Sequence, residues 1–432
     1  MKIYMNPEKS TWKEILQRPA FDHEQLEETV RSVLDDVKQH GDAAIQKYSL
    51  EFDGVALPEF IVSAAEIEEA VLAVDGDLKA AIELAKQHIT AFHNSQKEEV
   101  KEIETTTGVM CWRRAVAIEK VGLYIPGGTA PLFSTLLMLG IPAVLAGCKE
   151  IVVCTPPDKK GKINPVILYV AQLIGLKKIY KIGGVQAIAA MAYGTDTVSQ
   201  VNKIFGPGNQ YVTSAKQLIH AAGIAIDMPA GPSELAVYAD ETCVPTFVAA
   251  DLLSQAEHGI DSQVLLVASS VSIIEKVKAE IEKQLNQLHR KEIAGQSLQY
   301  SLAIVMEKTG TAFDLLNAYA PEHLIIATDD ASLLAEKVIN AGSVFLGHYS
   351  PESAGDYASG TNHTLPTNGY AKAYSGVSLD SFVKKITFQK ITRTGIKNIG
   401  KAVETMAAAE GLDAHKNAIS IRLHEIKNSD GI

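Results

Sequence analysis

Apolar and polar residues follow two different rhythms along the chain. Two early stretches, Asp22–Lys47 and Ser63–Phe92, are rich in Glu, Lys, Ala and Leu at helical spacing, and they predict amphipathic helices. From about Ala115 the pattern changes to short apolar runs, each followed by a helical run. The predicted strands are Ala117–Tyr124, Glu150–Cys154, Lys178–Ile182 and Lys203–Phe205, and the predicted helices are Ser134–Ala146, Asn164–Leu173 and Val185–Tyr193. Strands that alternate with helices at this spacing indicate a parallel α/β sheet.

A second run with the same rhythm follows. It predicts strands at Glu234–Ala239, Gln263–Val267, Ser301–Val305, His323–Ala327 and Ser343–Leu346, with helices at Thr246–Glu257 and Ile273–Leu288. Residues 347–376 are dense in Gly, Ser, Pro and Asn and show almost no periodicity, which in a compact protein indicates a functional or a disordered segment. The tail from Leu379 is predicted to be mainly helical, with helices at Thr394–Glu410 and Asp413–Glu425.

Composition narrows the class of protein. Apolar residues make up 47% and charged residues 21% of the 432 residues, as in ordinary globular chains, and this length predicts two or more domains. The net charge of −11 argues against a nucleic-acid partner, because phosphate binding needs clustered Lys and Arg. The four cysteines lack CxxC spacing, the N-terminus lacks a signal-peptide core, and Gly and Pro interrupt the apolar stretches. We therefore expect a soluble, cytoplasmic protein with no membrane partner.

Three glycine-containing motifs stand at predicted strand ends: Tyr124-Ile-Pro-Gly-Gly128, Gly183-Gly-Val-Gln186 and Phe205-Gly-Pro-Gly-Asn-Gln210. Open α/β sheets bind ligands at such ends, where glycine lets the backbone approach a phosphate and helix N-termini favour anions. No GxGxxG is present, because Tyr211 stands where the third glycine would be. A tight turn explains each motif alone. Three such motifs on successive strands favour a binding site of the kind that holds NAD.

Two pairs of polar residues are candidates for acid–base or metal chemistry. Gln255 and His258 fall on one face of a predicted helix, so both can reach one ligand or metal, although most such pairs are simply solvated. Glu322 and His323 begin a predicted strand and can both move protons near neutral pH. Adjacent strand residues point in opposite directions, so these two reach one site only where the backbone is irregular.

The remaining candidates lie in the irregular segment and the tail. Asp356 and His363 belong to a Gly/Ser-rich loop, where binding groups concentrate. Glu410 and His415 flank Gly411, which is expected to end one helix before Asp413 caps the next. Zinc commonly takes His and carboxylate ligands from distant segments, so the set as a whole predicts a metal-assisted dehydrogenase without naming its substrate.

In this order, the motifs closely resemble the histidinol dehydrogenase family over nearly the whole chain. The matching stretches are Val121-Gly-Leu-Tyr-Ile-Pro-Gly-Gly128, Phe205-Gly-Pro-Gly-Asn209, Ile226-Asp-Met-Pro-Ala-Gly-Pro-Ser-Glu234, Asp251-Leu-Leu-Ser-Gln-Ala-Glu-His258, Pro321-Glu-His323, Gly355-Asp-Tyr-Ala-Ser-Gly-Thr-Asn-His363 and Glu410-Gly-Leu-Asp-Ala-His415. The resemblance implies an NAD-linked, zinc-dependent oxidation of L-histidinol, in two steps through the aldehyde, to L-histidine, the last steps of histidine biosynthesis.

The resemblance also implies roles for individual residues. One Zn²⁺ per subunit would be held by Gln255, His258, Asp356 and His415. NAD would contact Tyr124, Gln186 and Asn209. The substrate would contact Ser233, His323 and Glu410 together with the zinc ligands, and His363 as a weaker candidate. Glu322 and His323 match the catalytic acid–base pair.

The fold implied by the resemblance is α/β, with two Rossmann-like open sheets, one inserted in the other, and small N-terminal and C-terminal helical domains. In this division residues 16–123 and 235–377 form a first α/β domain with the zinc and catalytic residues, and residues 124–234 form an inserted NAD-binding domain. Residues 1–15 and 378–432 would be dimerisation segments, and the C-terminal one would complete the active site of the partner subunit in a homodimer.

Three alternatives remain open from the sequence. A relative on the same scaffold could oxidise another amino alcohol or a diol. A non-catalytic NAD-binding protein is a second possibility, although it would have no need for Glu322, His323 and four metal-type ligands. A third concerns mechanism, because Cys148 or Cys154 could form a thiohemiacetal with the aldehyde, as in aldehyde dehydrogenases.

Overall fold

The computed structural model describes residues 1–18, 23–127, 131–229 and 231–430, and over them the chain is a mixed α/β protein. Its strands are β1 Lys2–Met5, β2 Glu102–Thr106, β3 Val109–Ala117, β4 Lys120–Tyr124, β5 Glu150–Thr155, β6 Lys178–Lys181, β7 Lys203–Phe205, β8 Ala225–Ile226, β9 Glu234–Ala239, β10 Gln263–Ala268, β11 Leu302–Val305, β12 His323–Ala327, β13 Ser343–Leu346 and β14 Val383–Ile391.

Helices connect most of these strands. They are α1 Trp12–Ile15, α2 His23–His40, α3 Asp42–Tyr48, α4 Ala64–Ala73, α5 Gly76–Asn94, α6 Phe133–Ala146, α7 Pro165–Leu173, α8 Gly184–Tyr193, α9 Gln210–Ala221, α10 Pro245–Ala256, α11 Val271–Leu285, α12 Lys291–Tyr300, α13 Thr309–Tyr319, α14 Ala331–Ala335, α15 Glu352–Tyr357, α16 Arg393–Ala409 and α17 Asp413–Asp430. None of these helices is long and apolar enough to cross a membrane.

Two parallel sheets with the same strand order form the larger unit, residues 1–96 and 118–382. The first sheet has the order β6-β5-β4-β7-β8, and the second has the order β11-β10-β9-β12-β13 with β1 added beside β11. In both, the chain starts in the middle, builds outward for three strands, and then returns to the other side of the first strand. This reversal is the topological switch point of open α/β sheets.

Alternate residues along each strand supply opposite faces of the sheet. In β4 and β5, Tyr124 and Val152 belong to one apolar cluster, whereas Leu123 and Val153 belong to the other. Strand β9 behaves in the same way, with Leu235 and Tyr238 on opposite faces. Both sheets are therefore covered by helices on both sides, which is why their strands read as continuous apolar runs.

The early helices pack on a different sheet from the one that the predicted domain division implies. We expected residues 16–123 to share a domain with 235–377. Instead α2 and α3 join the cluster of α8 and α9 on the first sheet, and α4 and α5 join α6 and α7 on its other face. Residues 23–94 therefore cover the five-stranded sheet. An amphipathic stripe shows which side of a helix is buried, but it does not show which sheet buries it.

The smaller unit contains residues 97–117 and 383–432. Its core is an antiparallel sheet of order β14-β3-β2, in which Val383–Ile391 pairs with Val109–Ala117 along its whole length, and α16 and α17 pack together. The helical prediction for the C-terminal domain is therefore wrong for β14, whose partner strand lies about 270 residues earlier. The N-terminal segment is likewise not purely helical, because β1 extends the second sheet.

Candidate active site

A cleft of about 1140 Å³ opens at the carboxyl edge of the five-stranded sheet. Its lining includes Asp53, Tyr124, Gly127, Gly184 and Asn209. All three glycine motifs predicted at strand ends follow β4, β6 and β7 at this edge, where α8 and α9 begin. Gly128 of the first motif lies outside the described residues. The cleft thus combines helix N-termini with closely approaching backbone, which suits an anionic nucleotide.

Two of the predicted nucleotide-binding residues shape the backbone of this cleft. The Tyr124 hydroxyl accepts a hydrogen bond from the Gly184 backbone N–H at 3.1 Å. The Asn209 side chain caps α9 by accepting from two backbone N–H groups at 3.1 Å. Gly206 has a φ of +125°, and a side chain there would meet the Tyr124 carbonyl oxygen at 2.1 Å, so only glycine fits between β7 and β4.

The third predicted nucleotide-binding residue, Gln186, is fully buried in α8. Its Nε2 donates to Oδ2 of Asp53 at 3.4 Å, whereas no partner for Oε1 lies among the described residues. Burial raises the pKa of Asp53 to about 6. An unpaired buried amide oxygen is costly, and a ligand N–H or O–H in the cleft could satisfy it.

A second concentration of polar groups lies at the amino edge of the six-stranded sheet. His323 is the first residue of β12 and pairs with Leu235 of β9 and Ser343 of β13. Ala320 has the left-handed φ of 53°, and Glu322 precedes the strand. Oε2 of Glu322 lies 3.7 Å from Nδ1 of His323. The two adjacent side chains therefore reach one site, as the sequence required of an irregular backbone.

Acceptors surround Nδ1 of His323. The backbone oxygen of Glu234 lies 3.3 Å away, and Oε1 of Glu352 lies 3.5 Å away. The other ring nitrogen, Nε2, lies 3.6 Å from Oδ1 of Asp356, and these two buried atoms have no hydrogen-bond partner among the described residues. Glu322 is held in turn by the Glu234 backbone N–H, which donates to its Oε2 at 2.9 Å.

Helix α15 brings Glu352 and Asp356 to the cluster from the segment predicted to be irregular. Gly355 allows this approach, since a side chain there would lie 2.6 Å from the Phe345 ring. The predicted residue His363 is adjacent, with Nδ1 2.9 Å from the Asp356 backbone oxygen and Nε2 3.1 Å from the hydroxyl of Thr135. Sequence reasoning missed Glu352, although its i,i+4 spacing to Asp356 was a usable signal.

Gln255 and His258 approach the same edge from α10. Gln255 is fully buried, and both of its amide atoms lack a partner in the described part of the chain. His258 is exposed and lies beyond the end of the helix, where a turn bonds its N–H to the Gln255 carbonyl at 3.2 Å. The predicted i,i+3 proximity is therefore kept by a turn and not by a continuous helix.

The charges of this cluster are unbalanced. Burial lowers the pKa of His323, but Glu352, Glu322 and Asp356 outweigh it and raise the pKa to about 10. Burial raises the pKa of Glu322 to about 7, and it raises the pKa of Asp251, on α10, to about 7. Burial would also raise the pKa of Asp356, but His323, His363 and His258 lower it. Several carboxylates around one imidazole leave room for a cation.

Within the described residues, His323, Glu352 and Asp356 offer ligand atoms within 4.8 Å of one another, a separation suited to a metal ion. Only Asp356 belongs to the predicted zinc set. Gln255 and His258 therefore stay predictions as ligands, supported by the unpaired Gln255 amide and by the electrostatic effect of His258 on Asp356.

Comparison with known proteins decides the family. The profile of the histidinol dehydrogenase family matches residues 16–423. A histidinol dehydrogenase from Bacteroides fragilis is 60% identical over 99% of this chain and 100% of its own length. A crystal structure of histidinol dehydrogenase from Elizabethkingia anophelis superimposes with a TM-score of 0.97 at 57% identity, over 99% of both chains. The chain belongs to the histidinol dehydrogenase family.

The other residues predicted from resemblance to histidinol dehydrogenases lie in both units. Ser233 immediately precedes β9, beside Glu234, and its backbone oxygen accepts from Gln263 at 3.2 Å. Glu410 and His415 belong to the smaller unit, at the end of α16 and in the first turn of α17, and both are exposed. As predicted, Gly411 is left-handed and separates the two helices.

Proposed function

We propose that this chain is a zinc- and NAD-dependent dehydrogenase that oxidises L-histidinol through L-histidinaldehyde to L-histidine. The observation that carries the proposal is the position of His323 in a chain of this family. Its Nδ1 faces acceptors, and its Nε2 faces Oδ1 of Asp356, an atom without a partner among the described residues, in a buried, charge-rich cluster. That arrangement suits a base for a hydroxyl proton.

Zinc fits the residues at the amino edge. Gln255 and Asp356 present buried oxygen atoms that have no partner in the described part of the chain, and His258 adds an imidazole. Helix α10 ends there, so its C-terminal carbonyl dipoles also favour a cation. We propose these three as ligands from this chain, with His415 of the partner subunit as the fourth. When bound, zinc would orient the imidazole and amino nitrogens of histidinol and offset the carboxylate charge.

NAD fits the cleft at the carboxyl edge of the other sheet. Tyr124, Gln186 and Asn209 would contact it, because they shape the strand ends and because Gln186 Oε1 lacks a partner among the described residues. The N-termini of α8 and α9 would face its phosphates. When bound, NAD would accept a hydride in each of the two oxidations.

In the first oxidation, Nε2 of His323 takes the hydroxyl proton of histidinol. The acceptors around Nδ1 favour the ring proton on that nitrogen, and Asp356, which faces Nε2, would be engaged by zinc, so Nε2 is the atom with a free lone pair. The raised pKa of His323 reflects uncompensated carboxylates. Once those charges are offset, the pKa falls toward the neutral range that suits a base.

In the second oxidation, Glu322 activates water. An aldehyde cannot give up its hydride to form an acid until it is hydrated to a gem-diol. Glu322 is buried next to His323, and burial raises its pKa to about 7, which suits proton transfer near neutral pH. His323 then deprotonates the gem-diol as it deprotonated the alcohol.

Thiohemiacetal formation on a cysteine has no support in the larger unit. Burial raises the pKa of Cys148 and of Cys243 to about 11, and it raises the pKa of the fully buried Cys154 further. The nucleophile in such a reaction is the thiolate, which these surroundings disfavour. Water activated by Glu322 is the better source of the second oxygen.

We further propose a cytoplasmic homodimer that shares its active sites. Glu410 and His415 are polar and exposed, and they lie on two helices that pack together, so they are available to a second chain. The four free cysteines agree with a reducing compartment.

The test is turnover with defined substrates. Purified, zinc-loaded protein should form two NADH for each L-histidinol consumed, with L-histidine as the product, and should use other amino alcohols and diols far less well. Absence of NADH formation by folded, zinc-loaded protein would refute the proposal, and preference for another alcohol would favour the related-substrate alternative.

Separate substitutions test the two acid–base roles. His323→Ala should slow oxidation of both histidinol and histidinaldehyde, by about 10²- to 10⁴-fold, because a proton leaves the substrate in each. Glu322→Gln should slow mainly the aldehyde reaction, because only that half requires activated water. Equal loss in both half-reactions of the Gln variant, measured with each substrate separately, would contradict the assignment of Glu322.

A further inference from the structure

Glu352 is a buried carboxylate to which the motifs assign no function. It begins α15, only 1% of the residue is exposed, and neither carboxylate oxygen has a hydrogen-bond partner among the described residues. A buried carboxyl group without a partner costs stability, since it has lost its water and gained nothing in return. A residue kept in that position needs a reason, and its surroundings indicate one.

The group facing Glu352 is the imidazole of His323. Oε1 of Glu352 lies 3.5 Å from Nδ1, and the ring is also held by the Glu234 carbonyl oxygen at 3.3 Å. A carbonyl oxygen only accepts hydrogen bonds, and so does an ionised carboxylate, so this pair of neighbours favours the tautomer with the ring proton on Nδ1. Glu352 therefore stands on the side of the ring opposite the reacting nitrogen.

We propose that Glu352 is a positioning residue that fixes the Nδ1–H tautomer of His323 and stabilises the imidazolium formed when Nε2 takes the substrate hydroxyl proton. The inference rests on the proposed function, because it needs His323 to be the base. The proton moves from the substrate oxygen to Nε2, the ring becomes a cation, and Glu352 supplies the compensating negative charge. A buried carboxylate behind a catalytic imidazole does this in Ser-His-Asp enzymes.

The surroundings of Glu352 favour this role over a purely structural one. Asp356 faces the other ring nitrogen, Nε2, at 3.6 Å, so the two carboxylates of α15 serve opposite sides of one imidazole. The rival role for Glu352 is metal ligation, since its oxygen lies within 4.8 Å of ligand atoms of His323 and Asp356.

The test uses Glu352→Gln, which keeps shape and loses charge, and Glu352→Asp, which keeps charge on a shorter arm. Asp356→Asn serves as the reference for lost metal. We expect Glu352→Gln to retain zinc at the parental ratio and a histidinol KM within about threefold, while kcat for both oxidations falls by about 10²- to 10⁴-fold. Glu352→Asp should recover part of that loss, because a carboxylate still faces Nδ1.

Non-additivity separates positioning from general support of the fold. If Glu352 acts through His323, the double variant His323→Ala with Glu352→Gln should be no slower than His323→Ala alone. Additive losses would overturn the proposal, and so would unchanged kcat in Glu352→Gln. Zinc loss equal to that of Asp356→Asn would make Glu352 a ligand. If the parental protein fails to oxidise histidinol, the proposed function is wrong, and that conclusion does not depend on the Glu352 variants.

Discussion

The two parallel sheets share one strand order, yet their candidate sites lie at opposite edges. In the five-stranded sheet the cleft lies where β4 and β7 end, and Tyr124 and Asn209 line it. In the six-stranded sheet the cluster lies where the equivalent strands β9 and β12 begin, at Glu234 and His323. Both sites are at the reversal of strand order. The strand order therefore indicates between which strands a candidate site lies, but it does not indicate at which end of those strands.

Helix direction explains what each edge can bind. Helices α8 and α9 start at the carboxyl edge of the first sheet, so their unpaired N–H groups suit the phosphates of a dinucleotide. Helix α10 returns to the amino edge of the second sheet and ends near Gln255, where unpaired carbonyls favour a cation. At one edge glycine lets backbone groups approach a ligand, and at the other edge buried carboxylates and imidazoles face it. One supersecondary pattern is thus suited to an anion at one edge of the sheet and to a cation at the other.

The largest expected effect lies at the amino edge. Asp356→Asn should remove most of the zinc and lower kcat by at least about 10³-fold, while NAD binding to the other sheet stays within about twofold of parental. The measurements are metal content after dialysis, histidinol turnover and NAD affinity by fluorescence titration. Chelation of parental protein should have the same effect, reversed by adding zinc.

The matched control for that variant is Asp314→Asn, an exposed aspartate on α13 of the same sheet, which should keep its metal and activity. Full activity of Asp356→Asn in rigorously metal-free buffer would contradict the cation assignment of this edge. Loss of NAD binding together with the metal would contradict the separation of the two sites.

The reciprocal variant addresses the carboxyl edge. Gln186→Ala should weaken NAD binding by about tenfold, the usual loss when a buried amide no longer bonds a ligand, and should leave the metal content unchanged. Gln172→Ala, an exposed glutamine on α7 of the same sheet, is the control. An unchanged Kd for NAD in a folded Gln186→Ala protein would remove Gln186 from the nucleotide site.

The sequence predicted the strands of both sheets except β1 and β8, because strands buried on two faces are short, apolar and bounded by turns. The predicted ends Tyr124 and Phe205 coincide with the ends of β4 and β7. Strand β14 could not be predicted in this way, since it pairs only with β3 and its residues are mostly exposed or half-buried. Local pattern cannot reveal a partner that is distant in the chain.

The candidate site was predictable in its residue types but not in its geometry. Spacing suggested that Gln255 and His258 act together, but it could not show that His258 lies beyond the helix. Nor could it show that Glu322 and His323 lie close enough to share one site, with 3.7 Å between Oε2 of Glu322 and Nδ1 of His323. Glu352, on α15, was missed because its importance comes from its burial and from its contact with His323 on β12. Tertiary packing determines both properties.

The last experiment has the smallest expected effect, a factor of about four in activity. It tests whether the site at the amino edge is formed by one chain or needs residues of the partner subunit. One subunit carries Glu322→Ala and His323→Ala, and another carries Glu410→Ala and His415→Ala; each is inactive alone. If the tail of one chain serves the site of its partner, a mixed dimer contains one site with all four substitutions and one with none. Random pairing of an equal mixture makes about half of the dimers mixed, and half of their sites are intact. About a quarter of parental activity should therefore return after unfolding and refolding the mixture together.

The opposite outcome of this mixing experiment is equally definite. If α16 and α17 served their own chain, every site in a mixed dimer would keep one pair of substitutions, and no activity would return. Native mass spectrometry must first verify that mixed dimers form, and parental protein carried through the same refolding sets the reference rate. No recovery of activity in verified mixed dimers would mean that the amino edge of the six-stranded sheet, like the carboxyl edge of the five-stranded one, is built by a single chain.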